Sequence, residues 1–286
     1  MISPGHLVVW VDGALVPEHE ARISPFDHGL LTGDGVFETL RVYRAEPYCW
    51  RRHYERLARS ASGMGLAIPP SEALRRAALD VIEANGLTDA RLRITLTGGP
   101  SPLGSERGRV TPTLILAASE LPPPGPATPV EVVTVPWPRN ERGALAGLKT
   151  ISYGENVRAL AMAKEAGAGE AMFANTRGEL CEGTGTNVFV VTAGVLRTPP
   201  EESGCLMGVT RALILELADR LAIEAEEVTL PFTAVATADE AFISSSTREL
   251  QAISAVDGNP LPVAPGPVTT LLADAFRRMV AQDLDP

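Results

Sequence analysis

The start of the chain alternates in a way that predicts a hairpin. Leu7-Val8-Val9-Trp10-Val11 is rich in strand formers, Asp12-Gly13 is a turn dipeptide, and Ala14-Leu15-Val16 returns. The run from Gly35 to Tyr43 predicts a strand. Trp50 to Met64 predicts a helix with Tyr54, Leu57, Ala58 and Ala61 on one face. Pro70-Ser71-Glu72 opens a second helix that closes at Asn85-Gly86. Strands are predicted from Arg91 to Thr97 and from Thr113 to Ala117. Between them lies a glycine-rich loop, Gly98-Gly99-Pro100-Ser101-Pro102-Leu103-Gly104, of a length that is often functional.

Farther on, strands are predicted at 130–135, 171–174, 187–191 and 240–244, and helices at 156–166, 210–221 and 268–281. Leu121-Pro122-Pro123-Pro124-Gly125-Pro126 suits neither helix interior nor central strand, and reads as an extended linker. The expected organisation is therefore α+β in both halves. A smaller domain spans 1–120, a linker 121–129, and a larger domain 130–286.

Composition narrows the function classes. The chain has 286 residues, 45% of them hydrophobic, so it can build a core. Acidic residues number 35 against 25 basic, a net charge of −10, which argues against non-specific nucleic-acid binding. Any anionic ligand must be held by a local positive site. Cys49, Cys181 and Cys205 are odd in number, far apart and without metal spacing, so a reducing cytoplasm is expected. No signal peptide and no apolar run long enough for a membrane span is visible.

Lysine is scarce: Lys149 and Lys164 are the only two. Lys164 lies in a polar helix turn. Lys149 lies among apolar, strand-like residues in Gly147-Leu148-Lys149-Thr150-Ile151, where a desolvated amine can act as a nucleophile or Schiff-base former; a snorkelling surface lysine is the alternative. Leu206-Met207-Gly208-Val209-Thr210-Arg211 runs into a helix, whose first N–H groups suit a phosphate, although ordinary capping explains the same pattern. Ser244-Ser245-Ser246-Thr247-Arg248 is a hydroxyl run after a strand. Glu179 to Asn187 surrounds Glu182 with small residues, and a buried carboxylate there could pair with a protonated heterocycle. Together these are the parts that a phosphorylated aldehyde cofactor requires.

Five ordered motifs give the chain its resemblance to the class IV aminotransferases, the fold-type IV pyridoxal-phosphate enzymes. They are Asp27 to Glu38; His53-Tyr54-Glu55-Arg56-Leu57, similar to H-x-x-R-L; Lys149 with Tyr153 and Asn156; Glu182 to Phe189, similar to E-G-x-x-x-N-x-F; and Leu206-x-Gly208-Val209-x-Arg211. The resemblance implies that Lys149 forms the Schiff base with pyridoxal 5'-phosphate and shuttles the proton. It implies that Glu182 pairs with the ring nitrogen and that Tyr153 bonds the 3' oxygen. Leu206 would pack on the ring. Phosphate would be held by Arg56, Gly208, Val209, Thr210 and Ser246. Leu30, Phe37, Gly98, Arg107, Arg109 and Thr247 are the expected substrate contacts.

Two anchors of the D-amino-acid subfamily are missing. Leu30 stands in place of an aromatic hydroxyl, and Gly98 in place of an arginine. Arg107 or Arg109 is expected to supply the carboxylate anchor instead, with Arg139 and Arg142 as a second source of cations. The expected function is transfer of an amino group from an amino acid or primary amine, with a D-amino acid or (R)-amine favoured, to a 2-oxo acid. An aminodeoxychorismate lyase and a branched-chain aminotransferase are the alternatives. A homodimer is implied, with no nucleic-acid or membrane partner and no metal.

Overall fold

The computed structural model describes residues 7–108, 111–123, 125 and 127–286. The chain divides into two compact units. One is Met1–Pro123 with Leu148–Ser152 and Asp283–Pro286; the other is Pro124–Gly147 with Tyr153–Gln282.

In the first unit the elements are β1 (Val8–Val11), β2 (Ala14–Pro17), α1 (His28–Thr32), β3 (Gly35–Tyr43), β4 (Glu46–Pro47), α2 (Trp50–Gly63), α3 (Ser71–Ala84), β5 (Ala90–Thr97) and β6 (Leu114–Glu120). Among the described residues they form a six-stranded sheet of order β2-β1-β6-β5-β3-β4, with antiparallel neighbours throughout. The β1–β2 turn is Asp12-Gly13, and both residues take positive φ, as a two-residue hairpin turn demands. One face of the sheet buries Val36, Leu40, Leu92, Ile94 and Leu96 against Leu57 and Ala61 of α2 and Leu74, Val81 and Ile82 of α3.

A single cut at the proline run does not describe this division. Leu148–Ser152 comes back to the first unit as an added edge beside β3. The Phe37 N–H donates to the Lys149 carbonyl at 3.0 Å, the Ile151 N–H donates to the Gly35 carbonyl at 3.0 Å, and Thr150 bridges Val36. The β-branched Thr150 and Ile151 favour this extended form. Alternation then puts Lys149 on the sheet face of Phe37, opposite to the face that packs on α2.

The second unit holds β7 (Val130–Thr134), α4 (Gly154–Glu165), β8 (Glu170–Ala174), β9 (Leu180–Gly183), β10 (Asn187–Thr192), β11 (Val195–Thr198), α5 (Val209–Arg220), β12 (Ala225–Glu227), α6 (Ala234–Thr237), β13 (Glu240–Ser245), β14 (Glu249–Val256), β15 (Asn259–Pro260) and α7 (Pro267–Gln282). Its described strands form one nine-stranded mixed sheet, in which β14, β7 and β8 run parallel. Val188, Val190, Ile243 and Ile253 are core residues of this sheet. Ala159 and Ala163 bring α4 close to Phe173. Among the described residues no helix is long and apolar enough to cross a membrane.

Candidate functional site

In the first unit the site begins with an anomaly in α2. Its buried face carries not only Trp50, Leu57 and Ala61 but also His53, Arg56 and Ser60. These polar positions recur at i, i+3 and i+7, one stripe of the helix. The stripe has partners. Glu38 of β3 lies on the same sheet face as Val36 and Leu40 and is 0% exposed. Its carboxylate accepts from Arg56 Nε at 2.7 Å and from Arg56 Nη2 at 2.7 Å, and lies 2.7 Å from His53 Nδ1. Burial opposes ionisation of Glu38, but Arg56 and then His53 outweigh it and hold the carboxyl well below the usual range. An ionised carboxylate only accepts, so His53 Nδ1 carries the proton. Ser60 Oγ accepts from the Lys149 N–H at 3.1 Å, which ties the lysine's strand to the same helix.

On the opposite sheet face, Lys149 Nζ stands 4.4 Å from the centroid of the Phe37 ring, and Lys149 is 9% exposed. The guanidinium of Arg93 lies 3.8 Å from the same centroid. Arg93 is opposite Thr39, two positions along from Phe37, so the register places these side chains on one face. A buried amine and an exposed arginine against one aromatic ring suit a small carboxylate-bearing amine.

In the second unit, β9 carries Glu182. Its Oε2 accepts from the Leu206 N–H at 2.9 Å, and its Oε1 is 3.4 Å from Arg139 Nε. Arg139 lies over the Phe173 ring at 4.2 Å and donates from Nη1 to Asn156 at 3.1 Å, while its buried Nη2 makes no hydrogen bond among the described residues. Gly208 precedes α5 and gives it no side-chain cap. A Cβ built there would strike Asn187 Oδ1, and Asn187 Nδ2 donates to the Leu206 carbonyl at 2.7 Å. Across the sheet from Asn187 is Ser244, whose buried Oγ has no partner among the described residues. Uncapped N–H groups of Val209 and Thr210 beside an orphan hydroxyl are what an anion requires. Gly208→Ala is expected to cost about 1–3 kcal/mol of stability by overpacking. A lower Tm for this variant, measured without any ligand, checks the close approach.

The remaining expected residues are spread over both units. Tyr153 is half-buried at the start of α4, and Leu206 is half-buried in the segment before α5. Ser246 and Thr247 form the half-buried turn between β13 and β14. Leu30 is on α1 and 70% exposed. Gly98 directly follows β5, and a Cβ there would strike Asp34. Arg107 departs from expectation: Asp34 takes both its Nε and Nη2, and its Nη1 donates to the Met64 and Gly65 carbonyls. A guanidinium held on all three nitrogens tethers its loop and is not placed as a carboxylate anchor. Arg109 lies outside the described residues.

Sequence reading missed Glu38, His53, Ser60 and Arg93 as site residues. Their signal is present: a charged residue on the core face of a strand, and a polar stripe inside a buried helix face. The three thiols are not candidates for nucleophilic work. Burial pushes Cys49 up to about 12 and Cys205 up to about 11, and raises Cys181 further.

The sequence matches the family described as Amino-transferase class IV over residues 35–256. The branched-chain aminotransferase of Thermoproteus uzoniensis, solved with norvaline, superposes with a TM-score of 0.91 at 32% identity, covering 97% of this chain and 96% of its own. A second branched-chain amino acid aminotransferase, solved with pyridoxamine 5'-phosphate, gives a TM-score of 0.91 at 27% identity, covering 97% and 95%. The D-alanine aminotransferase of Bacillus licheniformis is 29% identical, over 96% of this chain and 98% of that one.

Proposed function

Since this chain belongs to the class IV aminotransferases, a family of pyridoxal-phosphate enzymes, we propose that it moves the amino group of a branched-chain or similar apolar amino acid to a 2-oxo acid. The observation that carries this reading is Lys149, held in an edge strand with its amine on the Phe37 ring. Branched-chain names prevail among the relatives, and the apolar Leu30 and Phe37 suit an apolar side chain. The preference for D-amino acids or (R)-amines expected from sequence has no such support.

The residues present fit the cofactor. The α5 start with its orphan Ser244 hydroxyl suits a phosphate. When bound, pyridoxal 5'-phosphate supplies an aldehyde that joins an amine and a ring that draws electrons from Cα. Arg56, Val209, Thr210 and Ser246 would hold its phosphate, Tyr153 its 3' oxygen, and Glu182 its ring nitrogen. Arg139, 3.4 Å from Glu182, steadies that carboxylate as an anion. Lys149 Nζ lifts the proton from the donor's Cα and later returns it to the acceptor's Cα. Phe37 keeps water from that amine. Arg93 takes the substrate carboxylate, in place of the tethered Arg107.

An amino-donor panel tests the reading. Both enantiomers of leucine, alanine, glutamate and 1-phenylethylamine are mixed with the yellow enzyme. L-Leucine is expected to bleach the absorbance fastest, and a response confined to D-alanine or the (R)-amine refutes the branched-chain assignment. Arg93→Ala is expected to raise KM for leucine by about 10–100-fold, the loss of a charge-assisted hydrogen bond worth roughly 1.5–3 kcal/mol. Arg107→Ala should change KM less than Arg93→Ala does; the reverse order would restore the loop arginine as anchor. A homodimer fits the exposed Phe26, Leu30 and Leu103, which the bonds Ser101 N–H to the Phe26 carbonyl and His28 N–H to the Gly99 carbonyl gather into one patch.

A further inference from the structure

If Arg56 holds the cofactor's phosphate, as the reading above has it, the cluster around it meets a charge problem. Arg56 is already matched by Glu38 through two hydrogen bonds of 2.7 Å. A dianion placed on that neutral, buried pair adds negative charge where desolvation makes unmatched charge costly. His53 is the neighbour placed to offset that charge by gaining a proton. His53 is 2% exposed, and its Nδ1 is 2.7 Å from Glu38 Oε2. The charged groups that act on it are Glu38 from β3, Arg56 from its own helix and Lys149 from the edge strand. Without an anion, burial holds the ring below its ordinary value; Glu38 opposes this, and Arg56 and Lys149 add to it. An anion on Arg56 cancels the repulsion from that arginine and leaves the attraction of Glu38.

We propose that His53 is the proton acceptor of the phosphate subsite, gaining one proton when a dianion binds Arg56 and losing it when the dianion leaves. The proton comes from solvent and goes to Nε2, because Nδ1–H is already given to Glu38. The imidazolium then carries a proton on each nitrogen, and Glu38 is shared by two cations. Anion binding tightens as pH falls, since the complex carries one more proton than the free protein. His53 thereby acts as a positioning residue: it sets the charge seen by the phosphate and touches no reacting atom.

Sulfate is the probe, because it stays dianionic across the range in which histidine titrates and carries no aldehyde. Its inhibition constant is measured against loading of pyridoxal 5'-phosphate onto the cofactor-free protein, followed by absorbance over a pH series. In the wild type the constant should fall with pH by up to about tenfold per unit, the slope of one proton. In His53→Gln, which keeps an N–H for Glu38, the slope should be flat. Calorimetry of sulfate binding to the wild type, in two buffers of different ionisation enthalpy, reads the proton directly and does not depend on the variant folding. An equal slope in both proteins, or heats that do not depend on the buffer, overturns the role of His53 alone. Sulfate that never competes overturns the assignment of Arg56 to phosphate, and this inference with it.

Discussion

Lys149→Ala is expected to lower turnover by about 10²–10⁴-fold or more while leaving the fold intact. The segment is held through its backbone. The hydrogen bonds that fix it use the Lys149 N–H and carbonyl, and the bridge to β3 uses Thr150. Alanine keeps all of them. What it removes is the amine on the Phe37 ring, and with it the group that the proposed reaction uses to bond the cofactor and carry the proton. Lys149→Arg should fail as badly, although it preserves the charge, because a guanidinium does not give up its proton near neutral pH. Lys164→Ala is the control, since Lys164 is exposed in the last turn of α4. Borohydride reduction followed by mass spectrometry gives an independent readout: the wild type and Lys164→Ala should gain the mass of the cofactor, and Lys149→Ala should not. A Lys149→Ala protein with wild-type turnover would remove the basis of the proposed reaction.

That lysine is legible in the sequence as a chemically odd lone amine, although a snorkelling surface lysine fits the same local pattern and only the five ordered motifs together imply its role. Also legible are the hairpin at Asp12-Gly13, β3, α3 and most of the helices, where one period of burial dominates. Other features follow from contacts distant in sequence, and no local pattern carries them. β14 reads Glu249 to Val256 without a clean alternation, and it forms by pairing with β13 on one side and β7 on the other. The return of Leu148–Ser152 to the first unit depends on an edge of β3 that only the folded sheet offers. The polar stripe of α2 is in plain view in the sequence, but the apolar positions alone predict a different face. Tyr54 and Ala58, expected on that face, are only half-buried, while His53, Arg56 and Ser60 go inside. A polar side chain goes inside when a partner waits there, and Glu38 and the Lys149 N–H are those partners. Arg107 misleads for the opposite reason. Its loop suggests freedom, whereas Asp34 and the carbonyls at the end of α2 occupy it.

Arg56→Ala is expected to lose both stability and cofactor affinity, and the two losses separate by design. Removing one partner of a buried ion pair leaves Glu38, 0% exposed, with His53 alone, at a cost of about 3–5 kcal/mol. At roughly 2–4 °C per kcal/mol for a domain of this size, Tm should fall by about 6–20 °C. The loss depends on pH with a definite sign. In the wild type the Glu38 carboxyl is held below its ordinary range, so its pairing stabilises the fold above that range and fades as pH falls through the lowered value. In Arg56→Ala, burial acts without the arginine and pushes the carboxyl up, so the variant takes a proton on Glu38 that the wild type does not. The gap in Tm should therefore be widest near neutral pH and narrow toward acid. Arg56→Met combined with Glu38→Leu replaces both charges by apolar groups, which is often neutral for stability. Its Tm should recover most of the deficit, while its affinity for pyridoxal 5'-phosphate stays about 10–100-fold weak, the loss of a charged hydrogen bond. Affinity for pyridoxal, which lacks the phosphate, should be nearly the same in all three proteins. A double variant that recovers Tm and also binds pyridoxal 5'-phosphate like the wild type would make Arg56 a strut for Glu38 and assign the phosphate to the α5 start alone.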